Sequence, residues 1–475
     1  MKDKSVVDLN ECISANNNVI TITEDIEEIT LTSNGEKINA AILVKPRKND
    51  LTINIENLWI ESNEYIGLDI RAGNYNLYEN HIVYTGDNKI ISNKNIGICI
   101  SNNQTVNLIG KDNGRLEVIG GSGTCAIGNN KYTSGNGKVR FFGNGKVHAL
   151  GGDGKDDICF SNKGGEGICF YNENEKEASE VLIYESAEVN LKGGNGGDIS
   201  SINTNCKAGN GGSGIDILEK GLIDKVGHGK LEITGGNGGK GTGDCKTGVC
   251  GNGASAISLG FGKVTLKTDT TVNAGDGGSV DFKYNTCMVK GGDGGDCINI
   301  YKDVDAYISL IEVYDNIKLN AGNGGTSGTS IKGVCEIDSG GDGGNIINCN
   351  SNKCDITIGD VDISYGKGGG LNKLSNISNG KDGERIKVEN IVSFKALASF
   401  IYDENINDLG TEEKEEIIKE NKENIENTNL NKCDVHYDII KDKTHIYNNL
   451  PKVQEDNNKN GIIFLIIDFI KKIFS

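Results

Sequence analysis

The residues with the most suggestive spacing are cysteines, because six of them recur at one place in a repeated pattern. The chain has 14 Cys. Six of these lie between successive glycine-rich clusters, at Cys159, Cys206, Cys245, Cys250, Cys287 and Cys335. Equivalent loops of a repeat protein stack on one another, so these thiols are predicted to form a row. Three kinds of chemistry fit such a row: reduced thiols that pack as small apolar groups, disulfides, and a metal site.

The surrounding sequence ranks these three alternatives. Zinc prefers cysteines separated by two to four residues, and only Cys245/Cys250 and Cys349/Cys354 approach that spacing. No apolar signal segment follows Met1, so we expect synthesis in the cytoplasm, where thiols stay reduced. Reduced, buried thiols are therefore the first expectation, and disulfides formed after release to a spore or cell surface are the second.

Two segments formally match the calcium-binding nonapeptide GGxGxDxUx, at residues 151–159 and 291–299. That motif binds calcium between successive turns that follow one another at a nine-residue period, and the glycine clusters of this chain stand farther apart than that. We therefore expect no metal and no cofactor. An isolated calcium site near Asp153, Asp156 or Asp293 stays open.

No set of residues indicates catalysis, and we assign no catalytic residue. The histidines, His81, His148, His228, His436 and His445, fall at unrelated positions of the repeat. A polysaccharide lyase would need a carboxylate cluster with a nearby Arg or Lys base, yet the chain has only five Arg and none between residues 141 and 384.

The composition excludes several classes of protein. The 475 residues include 68 Gly and 2 Pro, and the net charge is -18. Collagen would need Gly at every third position and abundant Pro. Nucleic acid is not an expected partner, since phosphate binding needs a basic surface.

The glycines mark two interleaved series of clusters. The central residues of the first series are Asp153, Asn195, Asn237, Asp276, Asn323 and Lys367, and those of the second are Glu166, Asn210, Asn252, Asp293 and Asp342. By subtraction, the spacings run from 39 to 49 residues across the two series. A period of this size is typical of a solenoid or a propeller.

Apolar pairs two residues apart flank the clusters, as in Val189/Leu191 and Ile215/Ile217, and that spacing is the period of a β-strand. The sequence therefore predicts an all-β parallel β-helix with two coils of about 21 residues in each repeat. The rod would be roughly 85 Å long at the ladder spacing, the distance of about 4.8 Å between strands of successive coils. The Gly clusters are expected at corners that need positive φ or close backbone approach. A propeller, with four strands per blade, is the alternative.

The chain resembles the Gly-rich, pectate-lyase-like β-helix repeats of adhesin-like surface proteins in low-GC Gram-positive bacteria. Residues 97–128, GICISNNQTVNLIGKDNGRLEVIGGSGTCAIG, and 227–239, GHGKLEITGGNGG, carry the resemblance. It implies the solenoid architecture and a surface location but no particular activity. Relatives of this kind usually carry export and wall-attachment signals, which this sequence does not show.

Four regions are predicted: N-terminal solenoid coils over 1–110, Gly-rich repeats over 111–392, a charged helical or irregular region over 393–460, and an apolar tail over 461–475. On a helix, one polar stripe of the tail would oppose Ile462, Phe464, Leu465, Ile466, Phe469, Ile470 and Phe474. Fifteen residues span only about 22 Å as a helix, too short to cross a bilayer. The tail is expected to cap the solenoid, bind a partner protein, or lie in a membrane interface.

Together these features predict a non-enzymatic structural or adhesive protein that contacts surface glycans or sister subunits through repeated polar loops. A carbohydrate-binding or lyase-like module is one alternative. A membrane-associated toxin or scaffold that acts through the tail is the other.

Overall fold

The computed structural model describes residues 6–12, 18–71, 78–101, 103–130, 135–171, 177–200, 206–242, 248–281, 289–304, 307–327, 340–350, 354–370, 380–388, 391–398 and 435–439. These residues form a stack of strands on three faces, and the strand pairings among them are parallel. The predicted parallel β-helix is confirmed.

The first face is built from short strands, each of which pairs with its equivalents in the coils before and after. They are β2 (Val19–Ile22), β5 (Ala41–Val44), β8 (Leu68–Ile70), β11 (Ile98–Ile100), β14 (Ile127–Gly128), β17 (Ile168–Phe170), β21 (Ile215–Lys225), β25 (Ile257–Leu266), β29 (Ile298–Ile300), β32 (Ile347–Cys349) and β35 (Ile386–Val388).

The second face carries longer strands. They are β1 (Val6–Asp8), β3 (Glu28–Thr32), β6 (Leu51–Glu56), β9 (Glu79–Thr85), β12 (Thr105–Gly110), β15 (Lys138–Gly143), β18 (Ser179–Ile183), β30 (Ser309–Val313), β33 (Cys354–Ile358), β36 (Ile391–Ala398) and β37 (Val435–Ile439). Strands β21 and β25 run without a break from the first face into the second. For that reason the two faces count as one sheet of 22 strands.

The third face is a separate sheet of 10 strands. They are β4 (Lys37–Ile38), β7 (Trp59–Ser62), β10 (Asp87–Ser92), β13 (Arg115–Ser122), β16 (Lys146–Gly152), β19 (Glu188–Lys192), β22 (Leu231–Thr234), β26 (Thr270–Asn273), β31 (Ile317–Asn320) and β34 (Val361–Ser364). A single short helix among the described residues, α1 (Leu9–Cys12), precedes the first full coil and buries Leu9 completely.

The core is a set of apolar columns, because alternate residues of each strand point inward and equivalent strands are in register. On the first face Ile168 aligns with Ile215, Ile257 and Ile298, and all four are fully buried. Burying one such side chain stabilises the fold by about 1.5–3 kcal/mol. The columns therefore hold the coils together without any one large core.

The predicted coil length of about 21 residues is close for the first coils, in which Val19 aligns with Ala41 after 22 residues and Ile42 with Leu68 after 26, by subtraction, but it is wrong for the Gly-rich repeats. Register pairs show that the chain returns to the same face after 47 residues from Ile168 to Ile215, 42 to Ile257 and 41 to Ile298, by subtraction. Each repeat is thus one coil and not two shorter ones. The second face has the most layers, 13 when β21 and β25 are counted with its 11 other strands, so the described stack is roughly 58 Å long at the ladder spacing, about two thirds of the expected length.

The extra length of the Gly-rich coils lies in a glycine arm, a protrusion between the third face and the next first face. An outgoing segment (193–198 in one coil) leaves the third face, and a return segment (208–214) leads back to the first. The arm tips form small ladders of their own: β20 (Cys206–Lys207), β24 (Gly248–Val249) and β28 (Val289–Lys290), and β23 (Gly241–Thr242) with β27 (Val280–Asp281).

The C-terminal predictions are only partly within the described residues. Strand β36 runs from Ile391 to Ala398 and β37 pairs with it, so the stack passes the predicted boundary at residue 392. The charged helix expected near residue 411 and the apolar tail, with Ile462, Phe464, Leu465, Ile466, Phe469, Ile470 and Phe474, lie outside the described residues.

Candidate functional site

The backbone of the glycine arms repeats every three residues. The N–H groups of Gly193 and Gly196 donate to the next coil, at the carbonyls of Thr234 (2.9 Å) and Asn237 (2.8 Å). Those of Gly194 and Gly197 donate to the return segment of the preceding coil, at the carbonyls of Gly165 (2.7 Å) and Asn162 (3.0 Å). A strand alternates every two residues, whereas a three-residue period is that of a polyproline II backbone.

The third N–H of each triplet donates to a side chain of the preceding coil. Asn195 N–H donates to Asp153 Oδ1 (2.6 Å), and Asp198 N–H donates to Asp156 Oδ1 (2.8 Å). Each arm is therefore built from Gly-Gly-X triplets in which X faces outward and carries the polar side chain.

Close approach, and not positive φ, explains the glycines of the arms. A Cβ on Gly212 would lie 2.0 Å from the Gly165 carbonyl oxygen, and one on Gly193 would lie 1.8 Å from that of Gly212. Neither glycine has a positive φ. Of the two expected reasons for these glycines, close backbone approach is the one found, and positive φ is not found at either residue. Positive φ occurs instead where the second face turns into the third, at Asn57, Gly143, Glu185, Asp269 and Asn316 among others.

The outgoing segments present the first series as a continuous ladder of side chains, the outgoing ladder. Each side-chain oxygen accepts the backbone N–H of the equivalent residue in the next coil, over 2.6–3.0 Å, through Asp153, Asn195, Asn237, Asp276 and Asn323 to the N–H of Lys367. The structure brings this predicted series together in one column. An Asx side chain suits the position because it reaches one ladder spacing and supplies the missing acceptor.

The return segments form a second column, the return ladder, through Asn210, Asn252, Asp293 and Asp342 to the N–H of Lys381. Glu166 is not a member. The N–H of Gly164 donates to the Asn210 carbonyl (2.9 Å), so Lys163 is the residue equivalent to Asn210. Glu166 lies one Gly-Gly-X triplet after that position. The placement of Glu166 in this series is therefore corrected.

One triplet further along the return segment lies a less exposed polar column. Asp296 accepts the N–H of Asn345 (2.7 Å), whose Oδ1 accepts the N–H of Glu384 (2.9 Å). Burial raises the pKa of the Asp296 carboxyl, against the opposing effect of its hydrogen bonds from Asn345 and Asn348. Glu166 belongs to this column and is only 5% exposed.

Around Glu166 lies a small group of ionisable side chains on the first face. Lys163 Nζ pairs with Glu166 Oε1 at 2.6 Å. Burial, together with the nearby negative charge of Glu166, raises the pKa of Asp216, while Lys163 acts in the opposite direction. Lys163 thus offsets only part of the negative charge of the two carboxyl groups, and this cluster is a polar patch that the sequence did not indicate.

The thiol row is present as far as the described residues extend. Cys159 and Cys206 form a disulfide between the tips of successive arms, with Cα atoms 4.5 Å apart. Cys250 packs in the same cluster in the next coil. For Cys159 and Cys206, the disulfide is therefore the one of the three expected alternatives that the structure shows. Cys245, Cys287 and Cys335 lie outside the described residues.

Two further disulfides link Cys125 to Cys169 and Cys349 to Cys354. The first joins neighbouring coils across a sequence separation of 44. Its cysteines are not equivalent in register, since Cys169 aligns with Gly128, and the spacing of the repeats therefore did not indicate it. The second closes the short pair that was considered as a metal site.

The remaining predicted groups do not assemble into a reactive site within the described part of the chain. His81 contacts the Asn107 amide at 3.1 Å, and burial lowers the pKa of His148. Among the described residues, no three His, Cys, Asp or Glu side chains gather in a way that could hold a metal ion.

Comparisons with known proteins add no relative to this picture: no family model, no curated protein and no solved structure matches the chain. Within the described residues, no helix is long and apolar enough to span a bilayer.

Proposed function

We propose that the protein is a non-enzymatic structural or adhesive β-helix of a bacterial surface, spore or filament assembly, which contacts surface glycans or sister subunits. The observation that carries this proposal is the pair of side-chain ladders. Both hold equivalent polar groups at a fixed spacing along the rod, with each side-chain oxygen fixed by the next coil. Repeated equivalent groups suit multivalent contact, in which weak individual contacts add up to high avidity.

The charge distribution supports the same function. The chain is acidic, with a net charge of -18, and the described ladders add Asp153, Asp276, Asp293 and Asp342 to its surface. A surface of this kind favours solubility and repels other acidic rods at low salt. Lateral assembly of sister subunits is therefore expected to strengthen as salt screens the repulsion.

Negative-stain imaging of the purified chain at low and high salt tests assembly. Rods of roughly 58 Å that join side by side or end to end support a structural role. A pull-down with insoluble polysaccharides tests adhesion, and an ultraviolet assay for unsaturated sugars is run on the same samples. Release of unsaturated products would overturn the non-enzymatic assignment.

A further inference from the structure

Asn-Gly pairs recur along the chain, and such a pair can react with itself. The Gly nitrogen bonds to the side-chain carbonyl carbon of the Asn, and the bond from that carbon to the amide nitrogen breaks. The amide nitrogen leaves as ammonia with the Gly N–H proton, and water then opens the cyclic imide to aspartate or isoaspartate. Glycine hinders this attack least, because it has no Cβ. Five of the pairs stand in the two polar ladders, at Asn195, Asn210, Asn237, Asn252 and Asn323.

In the ladders, the next coil holds both of the groups that would have to react. The N–H of Gly238 donates to the Asp276 carbonyl at 2.9 Å, and Asn237 Oδ1 accepts the N–H of Asp276 at 2.8 Å. The other four pairs are held in the same way, at 2.8–2.9 Å for the Gly N–H and 3.0 Å for the Asn oxygen. Ring closure must therefore break two hydrogen bonds, even where the Asn is exposed, as at Asn237.

Asn144 is held by neither of these contacts. It is an exposed residue in the turn between β15 and β16. Among the described residues, the N–H of Gly145 has no acceptor. The hydrogen bond that Asn144 Oδ1 accepts there comes from the N–H of Asn113 at 3.4 Å, which is longer than the usual distance of about 3 Å. The attacking nitrogen is thus unengaged and the side chain is only weakly held.

Two other exposed pairs occupy equivalent turns from the second face to the third, and they differ from Asn144 in one respect. The N–H groups of Gly35 and Gly114, which follow Asn34 and Asn113, donate to backbone carbonyls at 2.7 Å and 2.8 Å. Both Asn side chains are exposed, as that of Asn144 is. The comparison therefore isolates the engaged N–H from exposure and from the position of the turn.

A second pair with an unengaged N–H, Asn136-Gly137, is buried in the described part of the chain. Asn136 is only 1% exposed, and its Nδ2 donates to Glu177 at 3.1 Å. A Cβ on Gly137 would lie 2.1 Å from the Phe170 ring. The amide at this pair consequently has little room to turn toward the Gly nitrogen, and water has little access to it.

We propose that Asn144 is a site of spontaneous deamidation, and that the ladders suppress the same reaction at their five Asn-Gly pairs. The product adds one negative charge to the turn, where Glu185 already accepts the N–H of Gly143. Isoaspartate also adds a methylene to the backbone beside a crowded glycine, since a Cβ on Gly145 would lie 2.6 Å from the Gly110 Cα. Chemical ageing is therefore confined to one turn, and the ladders keep their amide groups.

Peptide mapping by mass spectrometry tests the proposal on the full chain, incubated at mildly alkaline pH with and without guanidinium chloride. The gain in mass at each Asn-Gly pair is followed over time, and isoelectric focusing of the intact chain reports the added charge. The test variant is Asn144→Ser. The matched control is Asn113→Ser, which changes an exposed Asn of an equivalent turn. Circular dichroism verifies that both variants are folded.

In the folded chain we expect Asn144 to react at least about tenfold faster than the ladder pairs, because each of their two hydrogen bonds slows the reaction about fivefold. In denaturant all the pairs should react at similar rates. Asn144→Ser should remove the first acidic species that forms, and Asn113→Ser should retain it. Ladder pairs that react as fast in the folded chain as in denaturant would overturn the protection. Reaction at Asn144 no faster than at Asn34 or Asn136, or an acidic species that persists in Asn144→Ser, would overturn the site.

Discussion

Single glycines of the arms act as spacers between backbones. Gly212 has no room for a Cβ, which would lie 2.0 Å from the Gly165 carbonyl oxygen, whereas a Cβ on Gly370 would meet nothing within 4 Å. We expect Gly212→Ala to destabilise the protein by about 3 kcal/mol, because backbone on both sides must move apart. Urea unfolding measures the difference, with Gly370→Ala as the control. Equal midpoints for the two variants would contradict the close-approach explanation.

Tyr84 is a large aromatic side chain that is buried against glycine residues. It is fully buried in the core, where it contacts the positions of Gly110 and Gly145, and its hydroxyl has no hydrogen-bond partner among the described residues. We expect Tyr84→Phe to stabilise the protein by about 1 kcal/mol, because the change removes an unsatisfied buried polar group and keeps the ring. Thermal unfolding provides the measurement. A loss of stability would indicate that the hydroxyl has a partner such as a buried water.

Lys225 interrupts the apolar column that contains Ile183, yet it is fully buried. Its Nζ donates to the Thr268 carbonyl, and burial lowers the pKa of its amine from 10.5 to about 8, against the raising effect of Asp269. Between these two pH values the unfolded chain holds a proton that the folded chain has lost. The free energy of unfolding is therefore expected to rise with pH across this window, by about 3 kcal/mol at most.

Substitution of this lysine tests the titration. Lys225→Met should be more stable than the wild type at pH 7.5 and should lack the rise between pH 8 and 10.5. The comparison is Lys230→Met, which removes the same charge from a side chain that is 64% exposed in the wild type. The idea fails if wild type and Lys225→Met show the same dependence of urea midpoint on pH.

At the scale of elements, the arms join the coils through their side-chain ladders. Asn237 Oδ1 accepts the N–H of Asp276 at 2.8 Å. We expect Asn237→Ala to cost about 1 kcal/mol of stability, since an N–H loses its acceptor, and Asn237→Asp to cost less, because an oxygen remains. Thermal unfolding of the two variants distinguishes loss of the ladder hydrogen bond from an effect of surface polarity. An effect of surface polarity would make Asn237→Asp the less stable of the two variants.

The elements also show where sequence reasoning succeeds and where it stops. The apolar pair Val189/Leu191 predicted a strand, and β19 contains both residues. The same alternation cannot distinguish two short coils from two faces of one coil, because both give strands on either side of a Gly cluster. The side-chain period of two carries no information on which strands are neighbours.

The misplacement of Glu166 has a similar cause. In the segment Lys163-Gly-Gly-Glu166-Gly, both charged residues occupy outward positions of a three-residue period. The spacing of the Gly clusters places Glu166 in the return ladder, whereas the hydrogen bond from Gly164 to Asn210 places Lys163 there. The outward direction of Phe142 escaped the sequence reasoning because it stands next to Phe141, a fully buried core residue of the same type. Only the strand register separates inward from outward there.

At the scale of the whole molecule, the coil is the unit of the fold, and its length makes a sharp prediction. Val189 aligns with Leu231 across one ladder, so deletion of the segment 189–230 joins Glu188 to Leu231 and keeps every register. We expect a folded rod that is shorter by about 4.8 Å with little loss of cooperativity, because each coil contacts only its neighbours. Small-angle scattering and thermal unfolding measure the two quantities.

A deletion of half that length separates the observed coil from the shorter one that the sequence predicted. Removal of the segment 189–209 should unfold the chain, because it takes away most of β19 and leaves the return segment without its outgoing partner. Limited proteolysis and circular dichroism compare the two deletions directly. A folded, shortened product of the half-length deletion would mean that each repeat holds two coils after all, and it would contradict the three-faced coil described above.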